Sequence, residues 1–446
     1  MAKTPDPQIL EDLIKSAKAH GADAADALYV ESVSASVSYR LGKLEDIERA
    51  EGRDLGLRVF VGQKVAFVSS SDLSADALKK LPERAVAMAK LAPEDKFACL
   101  APRDRLAKVF PALDLEDANE PSPDTLVEWA RSVEGAAMEV KGVTNSEGGG
   151  ASFGRTAIAL ATSEGFLGTN AGTNSGIGVS VVAGEGAGME RDYDQTSARH
   201  ASDLETPETV GRNAGERAVK RLNPRKVKSQ AVPIIYDPRV SAGIVGHFAG
   251  AISGNSIARG VSFLKEMMGK AIFAPAITIT DDPHRIRGLR SKPFDGEGVA
   301  NKRMNLIEDG VLQTWLLDCG SAKQLGLQTT GHAARGTGGP PAPSPTNLYM
   351  EAGTLTPEAL MSDIKEGFYV TELIGMGVNG VTGDYSRGAA GYWIENGKIT
   401  YPVSEITIAS NLKDMFLNLT PANDLVFRYG TNAPSLRIEG MTVAGA

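Results

Sequence analysis

The first candidate for chemistry is a histidine on a predicted helix. His247 lies in the glycine-rich stretch 237–260, which follows a short apolar run and has the apolar periodicity of a helix. A helix with two spaced histidines, and a glutamate just after the first, binds zinc and activates water. Here Ala242 and Gly243 precede His247, and no carboxylate lies between them. We therefore expect His247 to be structural or vestigial rather than a metal ligand or a catalytic base.

Two acidic stretches are further candidates for chemistry. Asp281, Asp282 and His284 form a local cluster that a metal could use, but after a predicted strand the same residues favour a turn. Asp295 and Glu297 flank a glycine, and such a pair would suit a hydrolase only if one of the two pKa values were raised. We expect a solvated turn there.

The densest glycine stretch, residues 375–391, has two open interpretations. Its backbone could be accessible to an extended peptide, or it could form a set of tight β-turns. It has no phosphate-loop lysine, and its serine has no evident histidine partner. Together with His247, the candidate substrate-binding residues are Gly380, Gly383, Asp384, Ser386 and Arg387.

Periodicity and turn residues predict an α+β protein, with N-terminal sheet-and-helix domains (1–112 and 113–226) followed by a predominantly antiparallel β C-terminal domain (227–446). Asp237 and Pro238 are typical of a helix start. Predicted helices cover 7–20, 75–92 with a break at Pro82, 126–140, 207–222, 356–366 and 409–418. Predicted strands cover 25–40, 44–49, 143–147, 152–162, 177–183, 347–350 and 435–443, with hairpins at 56–69, 305–313 and 392–400.

Composition excludes several classes of protein. The 446 residues carry a formal net charge of −8 without a dense basic run, which disfavours a nucleic-acid binder. Cys99 and Cys319 are far apart and form no metal or disulfide pattern. The first twenty residues have an amphipathic pattern unlike a signal peptide, and no apolar run is long enough to span a bilayer. A cytoplasmic protein is expected.

Several runs in the C-terminal half resemble the TldD/TldE (PmbA) family of bacterial modulators and proteases. The longest is GVTGDYSRGAAGYWIENGKITYPV (380–403). The others are TITDDP (278–283), FDGEGV (294–299), NLIEDGVL (305–312) and TGHAAR (330–335).

The resemblance implies a cytoplasmic heterodimer of two related subunits that degrades or trims unfolded peptides, including the leader of microcin-type antibiotics. The TldD-type subunit carries HExxxH and a distant cysteine as zinc ligands, and the TldE type lacks them. In this sequence the first histidine and the glutamate fall on Ala242 and Gly243, and only His247 matches. The C-terminal region has no cysteine at the expected place. The resemblance therefore implies a TldE-type chain without metal, and zinc on a TldD-type partner.

Alternatives remain open. The chain could capture peptides without cleaving them, or could be a hydrolase that brings His247 together with Asp282 or Glu297. The isolated chain could also form a homodimer. His332, where the family often has asparagine, has no predicted role.

Overall fold

The computed structural model describes residues 7–445, so the first six residues of the predicted domain 1–112 and Ala446 lie outside the described residues. The N-terminal half forms one six-stranded antiparallel sheet with helices on one face. Its elements are α1 (Gln8–Ala19), β1 (Ala24–Arg40), β2 (Lys43–Val61), β3 (Lys64–Ser70), α2 (Ala75–Leu91), α3 (Pro123–Met138), β4 (Val143–Thr162), β5 (Leu167–Ala183), β6 (Glu190–Ala198) and α4 (Pro207–Lys220).

The strand order is β3-β2-β1-β4-β5-β6. Because β1 pairs with both β2 and β4, residues of the predicted domains 1–112 and 113–226 share this one sheet. Side chains alternate between faces along each strand. Ala27 of β1 faces the core beneath α1 and α2, and Val37 packs beneath α3. Leu28 points to the other face, where it packs with Phe294 of the C-terminal half. One face of the sheet therefore carries helices, and the other contacts the C-terminal domain.

The C-terminal half contains a small closed barrel and a second sheet. Its elements are β7 (Gln230–Tyr236), α5 (Pro238–Ala251), α6 (Gly254–Ala258), β8 (Ile279–Asp281), β9 (Met304–Glu308), β10 (Val311–Leu312), α7 (Cys319–Leu325), β11 (Ala333–Ala334), β12 (Ala342–Pro343), β13 (Leu348–Met350), α8 (Pro357–Met361), β14 (Glu366–Ile374), β15 (Asp384–Glu395), β16 (Lys398–Asn411), α9 (Leu412–Leu417), β17 (Leu419–Pro421), β18 (Thr431–Asn432) and β19 (Leu436–Ala444).

In the barrel, the order β16-β15-β14-β7-β19 is closed by pairing of β16 with β19. The second sheet has the order β10-β9-β8-β13-β18. The pairs β7–β14 and β13–β18 are parallel and the other pairs of these two sheets are antiparallel, which confirms the predicted fold class. Two of the three predicted hairpin turns, at Asp309-Gly310 and Asn396-Gly397, are present with positive φ at each turn residue. Within residues 7–445, no helix is long and apolar enough to cross a membrane.

Some predicted boundaries were wrong for physical reasons. α2 runs through Pro82 without a break, and the proline is buried in its packed face. The predicted strands 143–147 and 152–162 form the single strand β4, with register shifts before its glycine cluster. β6 was missed because its buried positions include Asp192 and Asp194 rather than apolar residues.

Gly149 of β4 allows α3 to lie close to the sheet. A Cβ at this position would lie 2.6 Å from the carbonyl oxygen of Ala130. We expect Gly149→Val to lower the free energy of unfolding by about 1–3 kcal/mol, because the helix would have to move. Urea denaturation measures this. Gly154→Val on the same strand is the matched control, since a Cβ there meets its nearest atom only at 3.8 Å; equal losses in the two variants would contradict the packing argument.

Candidate functional site

The start of α5 is fixed by hydrogen bonds around Asp237. Its carboxylate accepts the backbone N–H of Arg239 at 2.9 Å and the Tyr369 hydroxyl at 2.9 Å. Its own N–H donates to the carbonyl of Val370 at 3.0 Å. Pro238 occupies the first turn, so the predicted helix start is confirmed. These bonds attach α5 to β14 and hold the helix at one angle to the barrel.

One side of α5 is buried and the other is open. The buried side includes Ile244 and Phe248, while Gly243, Gly246 and Gly250 are exposed. A Cβ added at any of these three glycines would meet no atom within 4 Å. The open side of α5 is therefore a strip of exposed backbone, and the imidazole of His247 is the polar side chain beside it.

A cavity of about 290 Å³ lies beside this strip, and we call it the α5 cavity. Its wall includes His247 and Gly246 of α5, Met376 and Gly380 of the loop 375–383, and Arg387 of β15. The structure thus brings together three predicted site residues, His247, Gly380 and Arg387, that are separated by up to 140 residues of sequence.

The charge in the α5 cavity comes from Arg387. Its Nε donates to the carbonyl oxygen of Ile374 at 3.3 Å, and no carboxylate among the described residues lies within ion-pair distance of its guanidinium. Burial, together with the positive charge of Arg387, lowers the pKa of His247 below its ordinary value. The His247 ring also packs edge-on against Tyr385, with ring centroids 6.0 Å apart. His247 is therefore a neutral imidazole beside an uncompensated cation at neutral pH.

The remaining predicted site residues have structural contacts of their own. Asp384 accepts hydrogen bonds from the Thr382 hydroxyl at 2.6 Å and the Asn411 amide at 3.1 Å, and these bonds lower its pKa. Gly383 is buried, and Ser386 is exposed with its N–H bonded to a loop carbonyl. The backbone of β15 is paired with β16 on one side. On its other side, residues 388–395 pair with β14, and residues 384–386 bond to the loop at residues 377–379. An extended peptide can therefore meet the loop 375–383 but cannot add to β15.

A buried network of charges joins the N-terminal sheet to the C-terminal domain. Asp26 of β1 is 0% exposed and receives the Nε–H of Arg58 at 2.9 Å. Nη1 of Arg335, from the C-terminal domain, lies 2.8 Å from the other carboxylate oxygen of Asp26. Burial alone would raise the pKa of Asp26, but these two arginines hold it below the ordinary value. The sequence gives no local signal for this network, because Arg335 lies 309 residues from Asp26.

The expectation of a solvated turn at Asp295 and Glu297 was wrong. Both side chains are buried, and Asp295 accepts three backbone N–H groups at 2.9–3.0 Å. Glu297 accepts the N–H of Cys319 at 2.8 Å and lies 3.8 Å from Arg58. Burial raises the pKa of Glu297 to about 7, against the opposing effect of Arg58, and the charge of Asp295 adds to the increase.

The stretch 281–284 is partly the turn that was expected. The Asp282 carboxylate accepts the N–H of His284 at 2.9 Å, as turn chemistry predicts. Asp281, by contrast, is fully buried in β8 and accepts the N–H of Thr346 at 2.7 Å. His332 lies 3.3 Å from Asp281 through Nε2 and 2.8 Å from the Thr330 hydroxyl through Nδ1. His332 therefore joins its own loop to β8.

Both cysteines border a second cavity of about 330 Å³ between the 99–105 segment and α7. Neither is in a disulfide. Burial raises the pKa of the Cys99 thiol and of the Cys319 thiol, so both stay protonated at neutral pH. They are weak nucleophiles in this environment.

Comparisons with known proteins identify the class to which this architecture belongs, the PmbA/TldA metallopeptidases. The models of domain 1, the central domain and the C-terminal domain of these proteins match residues 25–89, 116–222 and 229–445. The chain is 40% identical over 443 residues to Metalloprotease PmbA of Escherichia coli O157:H7, covering 98% of this chain and 96% of that protein. The chain therefore belongs to the PmbA/TldD family.

Further relatives agree with this assignment. The chain is 38% identical over 412 residues to a PmbA homologue of Haemophilus influenzae, covering 92% of this chain and 90% of that protein. A crystal structure from Bacteroides thetaiotaomicron superposes with a TM-score of 0.91 at 27% identity, covering 98% of each chain. The structure of TldE from Thermococcus kodakarensis superposes with a TM-score of 0.87 at 22% identity, over 98% of this chain and 99% of that one, and shows the shared fold.

The raised pKa of Glu297 predicts a specific pH dependence of stability. The folded protein holds this proton up to about pH 7, whereas the ordinary value for glutamate is 4.5. The contribution of Glu297 to stability is therefore complete below about pH 4.5 and is lost as the pH rises through 7, by up to about 3 kcal/mol. Thermal melts at pH 5.5 and 8 measure this for wild type and Glu297→Gln, and we expect the variant to lose less stability over that interval.

The control for this experiment is Glu48→Gln, which removes one exposed carboxylate from β2. Its stability should follow the wild-type curve. If Glu297→Gln also follows the wild-type curve, the assigned pKa is contradicted.

Proposed function

We propose that this chain is the metal-free subunit of a TldD/TldE-type heterodimeric zinc peptidase that degrades or trims unfolded peptides, such as the leaders of microcin-type antibiotics. One observation carries the proposal. Ala242 and Gly243 occupy the positions on α5 where a zinc-binding subunit has histidine and glutamate, and only His247 is retained. In the proposed pair, zinc is bound by the TldD-type partner.

The side chains around α5 do not fit a zinc ion. A catalytic zinc needs three protein ligands and a water, and the α5 cavity offers one imidazole. The charge of Arg387 also opposes a divalent cation there. Among residues 7–445, no three His, Cys, Asp or Glu side chains are grouped so that they could hold a metal ion. The proposed role of this chain is therefore to shape the peptide chamber and to hold the partner.

The surface beside the α5 cavity suits a partner subunit. Ile374, Met376 and Val381 are exposed by 59%, 92% and 57% on or next to the loop 375–383. Exposed apolar side chains grouped around a concave site are typical of protein–protein interfaces. We assign this surface to the TldD-type subunit, and the isolated chain can use the same surface to form a homodimer. Both cysteines are free, in keeping with a cytoplasmic location.

The alternative of a self-sufficient hydrolase has little structural support. Glu297 binds Cys319 and lies near Arg58, Asp282 caps a turn, and neither lines the α5 cavity. Peptide capture without cleavage is the second candidate, and the presence of the α5 cavity favours it.

The test is cleavage of fluorescently labelled casein by this chain, by a TldD-type chain, and by their mixture. We expect cleavage by the mixture alone, and its loss on addition of a zinc chelator. Met376→Glu in this chain should reduce the rate of the mixture by at least about 10-fold, because it places a charge in the apolar surface. Met88→Glu, at an exposed methionine of α2, is the matched control and should leave the rate unchanged.

Chelator-sensitive cleavage by this chain alone would contradict the proposal. Binding of casein without cleavage by the mixture would favour the capture alternative. An unchanged rate with Met376→Glu would contradict the assignment of the interface.

A further inference from the structure

We propose that the α5 cavity binds the carboxyl-terminal residue of a peptide, with the terminal carboxylate on Arg387 and an apolar side chain against the apolar residues of the wall. The inference rests on the proposed function, because it names the part of the peptide that this chain would hold. It concerns the residues of this chain alone and can be tested without a partner.

The charge of Arg387 is not compensated by the protein. The guanidinium carries five N–H donors, and the hydrogen bond recorded for it uses only Nε–H, to the carbonyl of Ile374. The guanidinium has no carboxylate within 4.0 Å among residues 7–445, although the chain has more acidic than basic residues. A partly buried arginine whose charge is not compensated by the protein is a natural site for an anion. A planar carboxylate matches its fork with two parallel hydrogen bonds.

The other residues that line the α5 cavity suit an apolar residue with a negatively charged end. The residues that line the cavity include no aspartate or glutamate, so nothing repels an anion. The same wall has an apolar surface, supplied by Val261, Phe263, Met376 and Leu412. The volume of about 290 Å³ lies at the lower end of the range for small-ligand pockets, about 300–1,000 Å³. This combination suits one apolar residue with a charged end better than an inorganic anion.

The α5 cavity is accessible to a peptide along the helix. The glycines of α5 leave the cavity open along the helix, because Gly246 and Gly250 present backbone without side chains. A peptide backbone can therefore approach the helix closely and place its last residue beside Arg387. His247 lies next to this position. Two titratable groups face it: Arg387, whose charge lowers its pKa, and Tyr385, whose ring packs against it. A bound carboxylate would offset the effect of Arg387 and raise the pKa of His247.

The experiment uses the isolated chain and N-acetyl-leucine as the probe, with binding measured by calorimetry at pH 7. N-acetyl-leucinamide has the same side chain without the charge, and we expect it to bind at least about 10-fold more weakly. Arg387→Gln should weaken N-acetyl-leucine to a similar extent, and Arg387→Lys by less. Arg259→Gln is the matched control, since it removes an exposed arginine close to the cavity but outside its wall, and it should bind as wild type does.

Two further measurements separate the explanations. Gly246→Leu fills the cavity without touching any ion pair, so it should abolish binding while the thermal midpoint is maintained. In NMR titrations, N-acetyl-leucine should raise the pKa of His247, identified by the signal that His247→Gln removes. N-acetyl-aspartic acid α-amide, which carries only a side-chain carboxylate, should bind at least about 10-fold more weakly than N-acetyl-leucine.

Equal binding of the acid and the amide, or unchanged binding by Arg387→Gln, would overturn the proposal. Tighter binding of the aspartate probe would overturn the assignment to a chain end in favour of an acidic side chain. These outcomes are independent of the casein assay. If N-acetyl-leucine does not bind but the mixed subunits cleave casein, this inference fails and the proposed function stands; if it binds but the mixture is inactive, the proposed function fails.

Discussion

The buried carboxylate of Asp26 is the interaction on which the arrangement of the two halves depends. It compensates Arg58 from the N-terminal sheet and Arg335 from the C-terminal domain, and all three side chains are almost completely removed from water. Removing one partner of such a buried pair typically costs about 3–5 kcal/mol, because the remaining charges lose their compensation. The contact between Asp26 and Arg335 therefore fixes the face of the N-terminal sheet against the C-terminal domain. It also places Arg58 beside Glu297, which would otherwise be buried without a cation.

Under the proposed function, α5 takes the place of the partner's zinc-binding helix but has a different surface chemistry. Its hydrogen bonds to β14 are independent of any metal, since Asp237, Tyr369 and the backbone supply them. Ala242 and Gly243 stand where the proposed partner would carry histidine and glutamate, and the charge that acts on His247 is the cation Arg387. A surface without ligands and with an open backbone can evolve toward recognition of a peptide, because close approach and charge complementarity need no metal. In the proposed pair, the same fold would support catalysis in one subunit and peptide binding in the other.

Local chemistry made much of the fold predictable. The start of α5 followed from an aspartate–proline pair, and two hairpins followed from Asp309-Gly310 and Asn396-Gly397, because these signals act within a few residues. The buried role of Glu297 could not be predicted, since its environment depends on Arg58, which is far away in the sequence. β6 was hidden because Asp192 compensates Arg239 of α5 at 2.8 Å and so replaces an apolar residue on a buried face. The association of His247 with Arg387 depends on the attachment of α5 to β14 and on the pairing of β14 with β15, and the glycine pattern of residues 375–391 gave only a partial signal for it.

The most direct test of the central claim is the zinc content of the intact assembly, measured by native mass spectrometry. This chain, a TldD-type chain and their mixture would be prepared with equimolar zinc under the same conditions. The account predicts no stoichiometric zinc on this chain, and a heterodimer whose single zinc is also found on the isolated partner. One zinc per molecule of this chain alone, lost in His247→Gln but retained in His20→Gln at an exposed histidine, would contradict the account. That result would establish a metal site built on α5 itself.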